Sequence, residues 1–383
     1  MDCTSKTEIP MLRIFLRTGF FLTFLLTLFA VVPGHSQVGR KARKAALKTR
    51  NKQISRFTVR TDFSKSKKYI SFGIGMGASN YFGDLAPRSR RGSSDINYTR
   101  TYSSMFYLHR IHPHITVRAS LTHMRIMGDD FSVSNLDNPN GDEKGRFIRN
   151  LHFRNDIFEV AGVGIFELFP TDRGFLRRNF INPYGIFGFS FFRHNPKTKT
   201  PIEQGQTSKW VNLRPLGTEG QYTGIPGTPR PYSLWQVGIP LGVGVRYRLE
   251  DKWDLSLEFC YRFVFTDYLD DVSGKYPADT VYRSMLESGN TLGVKLSNRS
   301  AENTSSRGGE SRLAVFRRWK NTSLSNVENF TPDQNQPDQV FRRIIGNENG
   351  AAPRGNKRRD YWIATAVHLA YILEIKQKPP KFR

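Results

Sequence analysis

From Tyr232 to Thr266 the chain alternates between large apolar residues and small or charged ones. On the first arm Trp235, Val237, Ile239, Leu241, Val243, Val245 and Tyr247 share one face, with Gln236, Gly238, Pro240, Gly242, Gly244, Arg246 and Arg248 on the other. On the second arm Trp253, Leu255, Leu257, Phe259, Tyr261, Phe263 and Phe265 oppose Asp254, Ser256, Glu258, Cys260 and Arg262. Only Glu250, Asp251 and Lys252 lie between them, which predicts an antiparallel hairpin.

The choice of inner face decides the class of protein. A soluble sheet that buried the apolar face would leave a backbone covered by little more than glycine facing water. A transmembrane barrel turns that face to lipid, sets aromatics at the two interfaces, and fills a narrow interior with small and charged side chains. The alternation therefore predicts a barrel wall with Arg246, Glu258 and Arg262 inside, Arg246 near the other two, and Arg248 also inward. Pro240 cannot donate to a ladder and predicts a bulge or a local break.

The same pattern recurs along the chain. Ile70, Phe72, Ile74, Met76 and Ala78 alternate with Ser71, Gly73, Gly75, Gly77 and Ser79 within a strand from Tyr69 to Phe82. Further strands are predicted near Tyr102–Ile111, His114–Met127, Asn150–Phe169, with Glu159 and Glu167 inward, Pro183–Arg193 and Asp360–Lys376. The fold class is thus all-β: a transmembrane antiparallel β-barrel of about eight strands. The short links, Arg110–His114, Pro170–Asn182 and Glu250–Lys252, fall on one side, and the long ones on the other. This asymmetry, short periplasmic turns against long external loops, is that of outer-membrane barrels. The barrel is expected over residues 69–376, with a flexible external loop over about 287–359 and a tail at 377–383.

Composition changes the picture at the N-terminus. Arg13 and Arg17 precede the apolar run Phe20–Val32, and Gly34 and Ser36 fit a cut before Gln37, so residues 1–36 read as a signal peptide. The formal charge of +25 would suggest nucleic acid, but an exported chain does not meet it. Removing the signal takes three basic and two acidic residues, a net loss of one charge, and also removes Cys3. Cys260 is then alone, which excludes a disulfide framework and suits a small filler inside the barrel. Residues 37–68 carry twelve Lys and Arg against the single acid Asp62, a disordered basic arm placed in the periplasm.

No catalytic spacing is present: eight histidines are scattered and no H-E-x-x-H or G-x-S-x-G occurs. The chain reads as a non-enzyme without cofactor. Asp267, Asp270 and Asp271 offer calcium-type oxygens, yet no EF-hand spacing surrounds them, and pairing with neighbouring Arg is the plainer reading.

Several short motifs carry a resemblance. Gly77–Leu85, containing Asn80, Tyr81, Gly83 and Asp84; Leu216–Gln221, containing Glu219, Gly220 and Gln221; Ile239–Gly244; and Asp267–Ser273, with Tyr268, Asp270 and Asp271, followed by Tyr276, resemble the PorG-like outer-membrane barrel family of the Bacteroidota. Arg354-Gly-Asn356 before Asp360-Tyr361 resembles that family's lead-in to its last strand. The likeness runs over residues 69–375. The basic arm and the insertion after Leu286 depart from it. The resemblance implies an integral outer-membrane component of the type IX secretion and gliding machinery, partnered by a periplasmic ring that includes a lipoprotein. By position, Tyr81 is expected as an interfacial aromatic, and Thr218–Gln221 and Asp267–Ser273 are expected on the same external side, as one cap. The alternatives are a small outer-membrane channel and an adhesin-like barrel presenting its outer loops.

Overall fold

The computed structural model describes residues 68–86, 96–131, 141–171, 174–202, 207–300, 302–313, 315, 354–355 and 359–373. The signal peptide, the basic arm apart from Lys68, the C-terminal tail and most of 314–358 lie outside these residues. In chain order the elements are β1 (Ile70–Phe82), β2 (Arg100–His112), β3 (Ile115–Asp129), α1 (Gly141–Arg149), β4 (His152–Glu167), β5 (Ile181–Arg193), β6 (Pro196–Lys199), β7 (Trp210–Asn212), β8 (Trp235–Arg248), β9 (Trp253–Val264), α2 (Asp279–Glu287), α3 (Thr291–Ser297) and β10 (Tyr361–Leu373).

Eight long strands close on themselves. Each pairs antiparallel with its neighbours in the cyclic order β1-β2-β3-β4-β5-β8-β9-β10, the ring being joined by β3 to β4 and by β1 to β10. Closure matters because a spanning sheet has no water in the hydrocarbon to satisfy an open edge. The long strands run 12 to 16 residues, more than the roughly 9–11 that cross a bilayer. Their outer ends therefore extend into the loop region.

The apolar stripe of every strand points outward. Met76 is 71% exposed and Leu257 57%, whereas the next residue, Glu258, is 4% exposed. Aromatic pairs mark both interfaces. At the long-loop end Phe191 stacks on Trp235 at 5.1 Å and Tyr261 on Tyr361 at 4.6 Å. At the short-turn end Trp253 meets Tyr371 at 4.9 Å and Phe180 meets Tyr247 at 4.4 Å. With its apolar belt, aromatic girdles and charged lumen, the molecule is an outer-membrane barrel.

Ion pairs fill the lumen. Near the short turns Glu167 is gripped by Arg110 at 2.5 Å and by Arg246. Midway, Glu258 accepts from Arg118 and from the Tyr184 hydroxyl, both at 2.6 Å. Higher up, Arg262 reaches Glu159 at 3.2 Å. Cys260 is buried among them, as a filler should be. All three inward assignments, Arg246, Glu258 and Arg262, agree with the alternation, and so do Glu159 and Glu167.

The expected grouping of Arg246 with Glu258 and Arg262 is corrected by the register. Gly244 lies opposite Glu258 and Arg246 opposite Ser256, so these charges find partners across the lumen rather than on the adjacent strand. Arg248 does not join them; it donates to the carbonyls of Leu176 and Arg178 in a short-side link. Pro240 breaks the ladder without a bulge. Pairing with β5 stops at Phe187↔Leu241 and resumes at Ser190↔Gly238 in the same register, while pairing with β9 is unbroken.

Two external stretches differ from expectation. Within 195–231, where no strand is predicted, β6 and β7 form a small hairpin that rides on the outer end of β4 through Arg154↔Lys197. At the start of the stretch expected to be flexible, α3 forms, and beyond it Arg299 and Arg312 are buried, Arg312 donating to the carbonyls of Phe147 and Glu302. Guanidinium-to-carbonyl bonds explain the order there: a composition rich in Ser, Asn and Arg looks solvated until such partners are in place.

Glu258→Ala leaves Arg118 buried without its carboxylate, and a loss of about 3–5 kcal/mol is expected in reversible unfolding from vesicles. A loss under about 1 kcal/mol, the worth of an exposed pair, would mean that Arg118 draws nothing essential from Glu258. Cysteine at Leu257 should react with a lipid-soluble thiol reagent and cysteine at Glu258 should not; the inverse pattern would turn the wall inside out.

Candidate functional site

Apart from Ile239–Gly244, which lies within the wall on β8, the motifs that the sequence singles out converge at the long-loop mouth. Strands β1 and β10 and the loop after β9 bring three residues together there. The Tyr81 hydroxyl lies 2.7 Å from Asp270 Oδ2 and 2.7 Å from Asp360 Oδ1. A phenol has one proton to give. One of the two contacts therefore runs from a protonated carboxyl to the Tyr81 oxygen. Burial lifts both acids well above the usual carboxylate range; the charge of Asp84 adds to the rise at Asp270, and that of Asp270 to the rise at Asp360. Backbone amides of Val272 and Leu269 complete the two carboxyls.

Tyr81 is accordingly not the interfacial aromatic expected from its position. It is 2% exposed and packs inward against Phe153 at 4.8 Å. Its odd number in a strand whose even residues face lipid required this. Gly83 sits beside it because a Cβ there would run into the Tyr81 oxygen and the Asp360 carboxyl. Asn80 points away and donates to Thr99 Oγ1 at 2.9 Å.

A second layer joins the other motifs. Thr218 donates to Asp271 Oδ2 at 2.5 Å, and the Tyr232 hydroxyl to Asp271 Oδ1 at 2.6 Å. Glu219 accepts from the Ser273 amide at 2.8 Å and from the Tyr268 hydroxyl at 3.2 Å, while its own amide donates to Gln221 Oε1. Tyr268 stacks on Tyr232 at 4.8 Å. Gly220 turns with φ +79°, where a side chain would also strike Val281. The single cap expected from Thr218–Gln221 and Asp267–Ser273 is present, and α2 and α3 pack upon it through Tyr276, Tyr282 and Met285 with Val294 behind.

Arginines that the sequence reading did not select as site residues bind the cap. Arg354 Nη1 donates to Glu219 at 2.8 Å and to the Asp271 carbonyl at 2.6 Å, and Nη2 lies 3.9 Å from the Asp271 carboxylate. Arg149 on α1 donates to Asp130, to the Arg354 carbonyl and to the Asp84 carbonyl; Arg146 donates to Asp84 and Ala86. The one available signal was Arg354 in the lead-in to the last strand. Nothing local marks Arg146 or Arg149 among so many basic residues.

Among the described residues no group of three His, Cys, Asp or Glu is arranged to hold a metal. Asp267, Asp270 and Asp271 diverge: Asp271 turns to Thr218 and Tyr232, Asp270 to Tyr81, and Asp267 to Ser273. What the arrangement does chemically is to lock the mouth through hydrogen bonds that tie Asp270, Asp271 and Glu219 to neighbouring segments.

The fold and the mouth together define a class: an eight-stranded outer-membrane β-barrel, filled by ion pairs and closed by a folded cap. No family model matches the sequence, and no curated protein matches it. Among solved structures the chain is similar to Ail, the attachment invasion locus protein of Yersinia pestis, at 9% identity over 51% of this chain and 85% of that one, with a TM-score of 0.24. It is also similar to Neisserial surface protein A, at 11% identity over 52% and 85% with a TM-score of 0.26. A third is a major outer membrane protein from Thermus thermophilus, at 11% identity over 79% and 99% with a TM-score of 0.32.

Half-burial raises the Asp267 carboxyl to about 7 from a usual 3.8, and its Oδ1 has no hydrogen-bond partner. Because the folded value lies above the unfolded one, this group's stabilisation is complete below about 3.8 and is lost as pH rises through about 7. The near-ultraviolet dichroism of the Tyr232–Tyr268 stack should therefore melt at lower temperature at pH 8 than at pH 5. Asp267→Asn should flatten that dependence, and an undiminished slope in the variant would assign the titration elsewhere.

Proposed function

We propose that this protein is a non-enzymatic anchor or assembly subunit of a protein-secretion complex of the type IX kind, held in the outer membrane and docked from the periplasm by ring proteins that include a lipoprotein. The observation that carries this reading is the mouth. Motifs from three separate loops are joined into one rigid cap through Arg354, and the lumen below is occupied by Arg118–Glu258 and Arg262–Glu159. A barrel built this way is suited to hold a position rather than to pass a solute. The motifs that make the cap are those that resemble the PorG-like family, and their contacts give each a physical reason.

The basic arm supplies the periplasmic contact in this reading. Its twelve cations against one acid steer toward an acidic surface over roughly 10 Å at physiological salt. No cofactor or nucleic acid takes part.

A second reading, an adhesin-like barrel, draws on the β6–β7 hairpin, which presents Trp210 beside Arg154 at 4.2 Å on the outer side. Deletion of the gene separates the two. Loss of secreted cargo, restored by the full chain and not by a chain lacking Arg40–Lys52, is the expected result. Normal secretion with reduced surface attachment would favour the adhesin. In planar bilayers the purified barrel should hold no stable open state, and a steady ohmic conductance would replace both readings with a channel.

A further inference from the structure

We propose that the outer wall at β8, β9 and β10 carries a built site for an anionic phospholipid. A groove of about 390 Å³ opens there on the lipid-facing side, lined by Phe187, Ile239, Leu241, Tyr261, Phe263 and Tyr361. Its floor is aromatic: Tyr261 lies 4.1 Å from Phe263 and 4.6 Å from Tyr361, centroid to centroid. Pro240 helps to open it. With no amide to donate, it leaves the β5–β8 ladder unmade at Ile239 and Pro240, between the pairs Phe187↔Leu241 and Ser190↔Gly238. A groove of this lining at bilayer depth excludes water and takes an acyl chain.

Charge at its rim selects which lipid. Arg359 holds its guanidinium 5.4 Å over the Phe265 ring at the upper edge of the groove. Arg193, beyond the groove's lining at the outer end of β5, holds its own 6.0 Å over Trp235. The wall between them crosses from β5 through β8 and β9 to β10, three strand spacings or roughly 14 Å. Both side chains are exposed, and alternation explains the position of Arg359: its neighbour Asp360 is committed to the inner cap. Stacking on an aromatic face keeps a guanidinium at the interface with its donors free for an anion. Two cations bracketing one chain-sized groove therefore fit a phospholipid whose headgroup carries net negative charge, held by chain and headgroup together.

Native mass spectrometry of the full chain in nonionic detergent tests this, with cardiolipin and phosphatidylcholine of matched acyl chains as probes. The wild type should retain one cardiolipin, with phosphatidylcholine held about tenfold less. Arg193→Gln with Arg359→Gln should erase that preference. Leu241→Trp, which fills the groove and keeps the charges, should lower cardiolipin retention, whereas Leu121→Trp on the opposite wall should not. Heat-modifiable gel migration confirms that each variant is folded. Equal retention of the two lipids, an unaffected charge variant, or an equal loss with Leu121→Trp would each overturn the site. Displacement of the lipid by inorganic phosphate at the same phosphorus concentration would do so too, by reducing it to a site for the free anion.

Discussion

A wall that must be apolar toward lipid leaves the lumen as the one place at membrane depth where a charge can reside, and a charge in a lumen this narrow needs its opposite within reach. The rest of the structure follows from that constraint. Glu258 binds Arg118 from the far side of the barrel and Tyr184 from a nearer strand; Glu167 binds Arg110 and Arg246 from opposite directions. Each acid thus cross-links strands that are distant in sequence. Such pairs contribute little net stability over an apolar filling, but breaking one leaves an uncompensated buried ion. They therefore specify register and closure more than they add to stability: a strand slipped by one residue would turn its charges to lipid and strand their partners inside.

The mouth applies the same rule with hydrogen bonds in place of ion pairs. Asp270 and Asp360 crowd one phenol, an arrangement that requires a shared proton, and the neighbouring Asp271 and Glu219 share Arg354. Because Arg354 also receives α1 through its carbonyl, four external segments meet at one residue. A cap with this connectivity moves as a body or not at all. That favours a role in which the outer surface is a fixed shape.

The period-two pattern made the wall legible. It placed all eight strands within a few residues, the aromatic girdles and the inward faces of Arg246, Glu258 and Arg262. It did not give their partners, since which inward residues meet depends on the tilt and stagger that close the barrel, and neither is written in any one strand. Tyr81 is the instructive miss. Its parity put it inside, and an expectation drawn from its place at the strand end overrode the better signal. The β6–β7 hairpin escaped for the opposite reason: strands of four and three residues are too short to establish an alternation. Arg146, Arg149, Arg299 and Arg312 were invisible because what distinguishes them is a backbone carbonyl on another segment.

Those buried arginines also change how the extreme charge is understood. A net +25 suggests a surface made for polyanions, yet much of the basic side-chain content of the barrel region is engaged internally, by lumen acids and by loop carbonyls. A guanidinium can satisfy several carbonyls from one rigid fork and cannot be neutralised by ordinary burial, so arginine serves here as the framework of loops that have little apolar core. Of the positive charge left to act at a distance, one concentration is the sequence before Tyr69, and Arg193 and Arg359 stand exposed at the membrane rim. In the proposed reading the first serves the periplasmic side and the two arginines the outer leaflet, so one chain meets an acidic partner and an anionic lipid on opposite sides of the same bilayer.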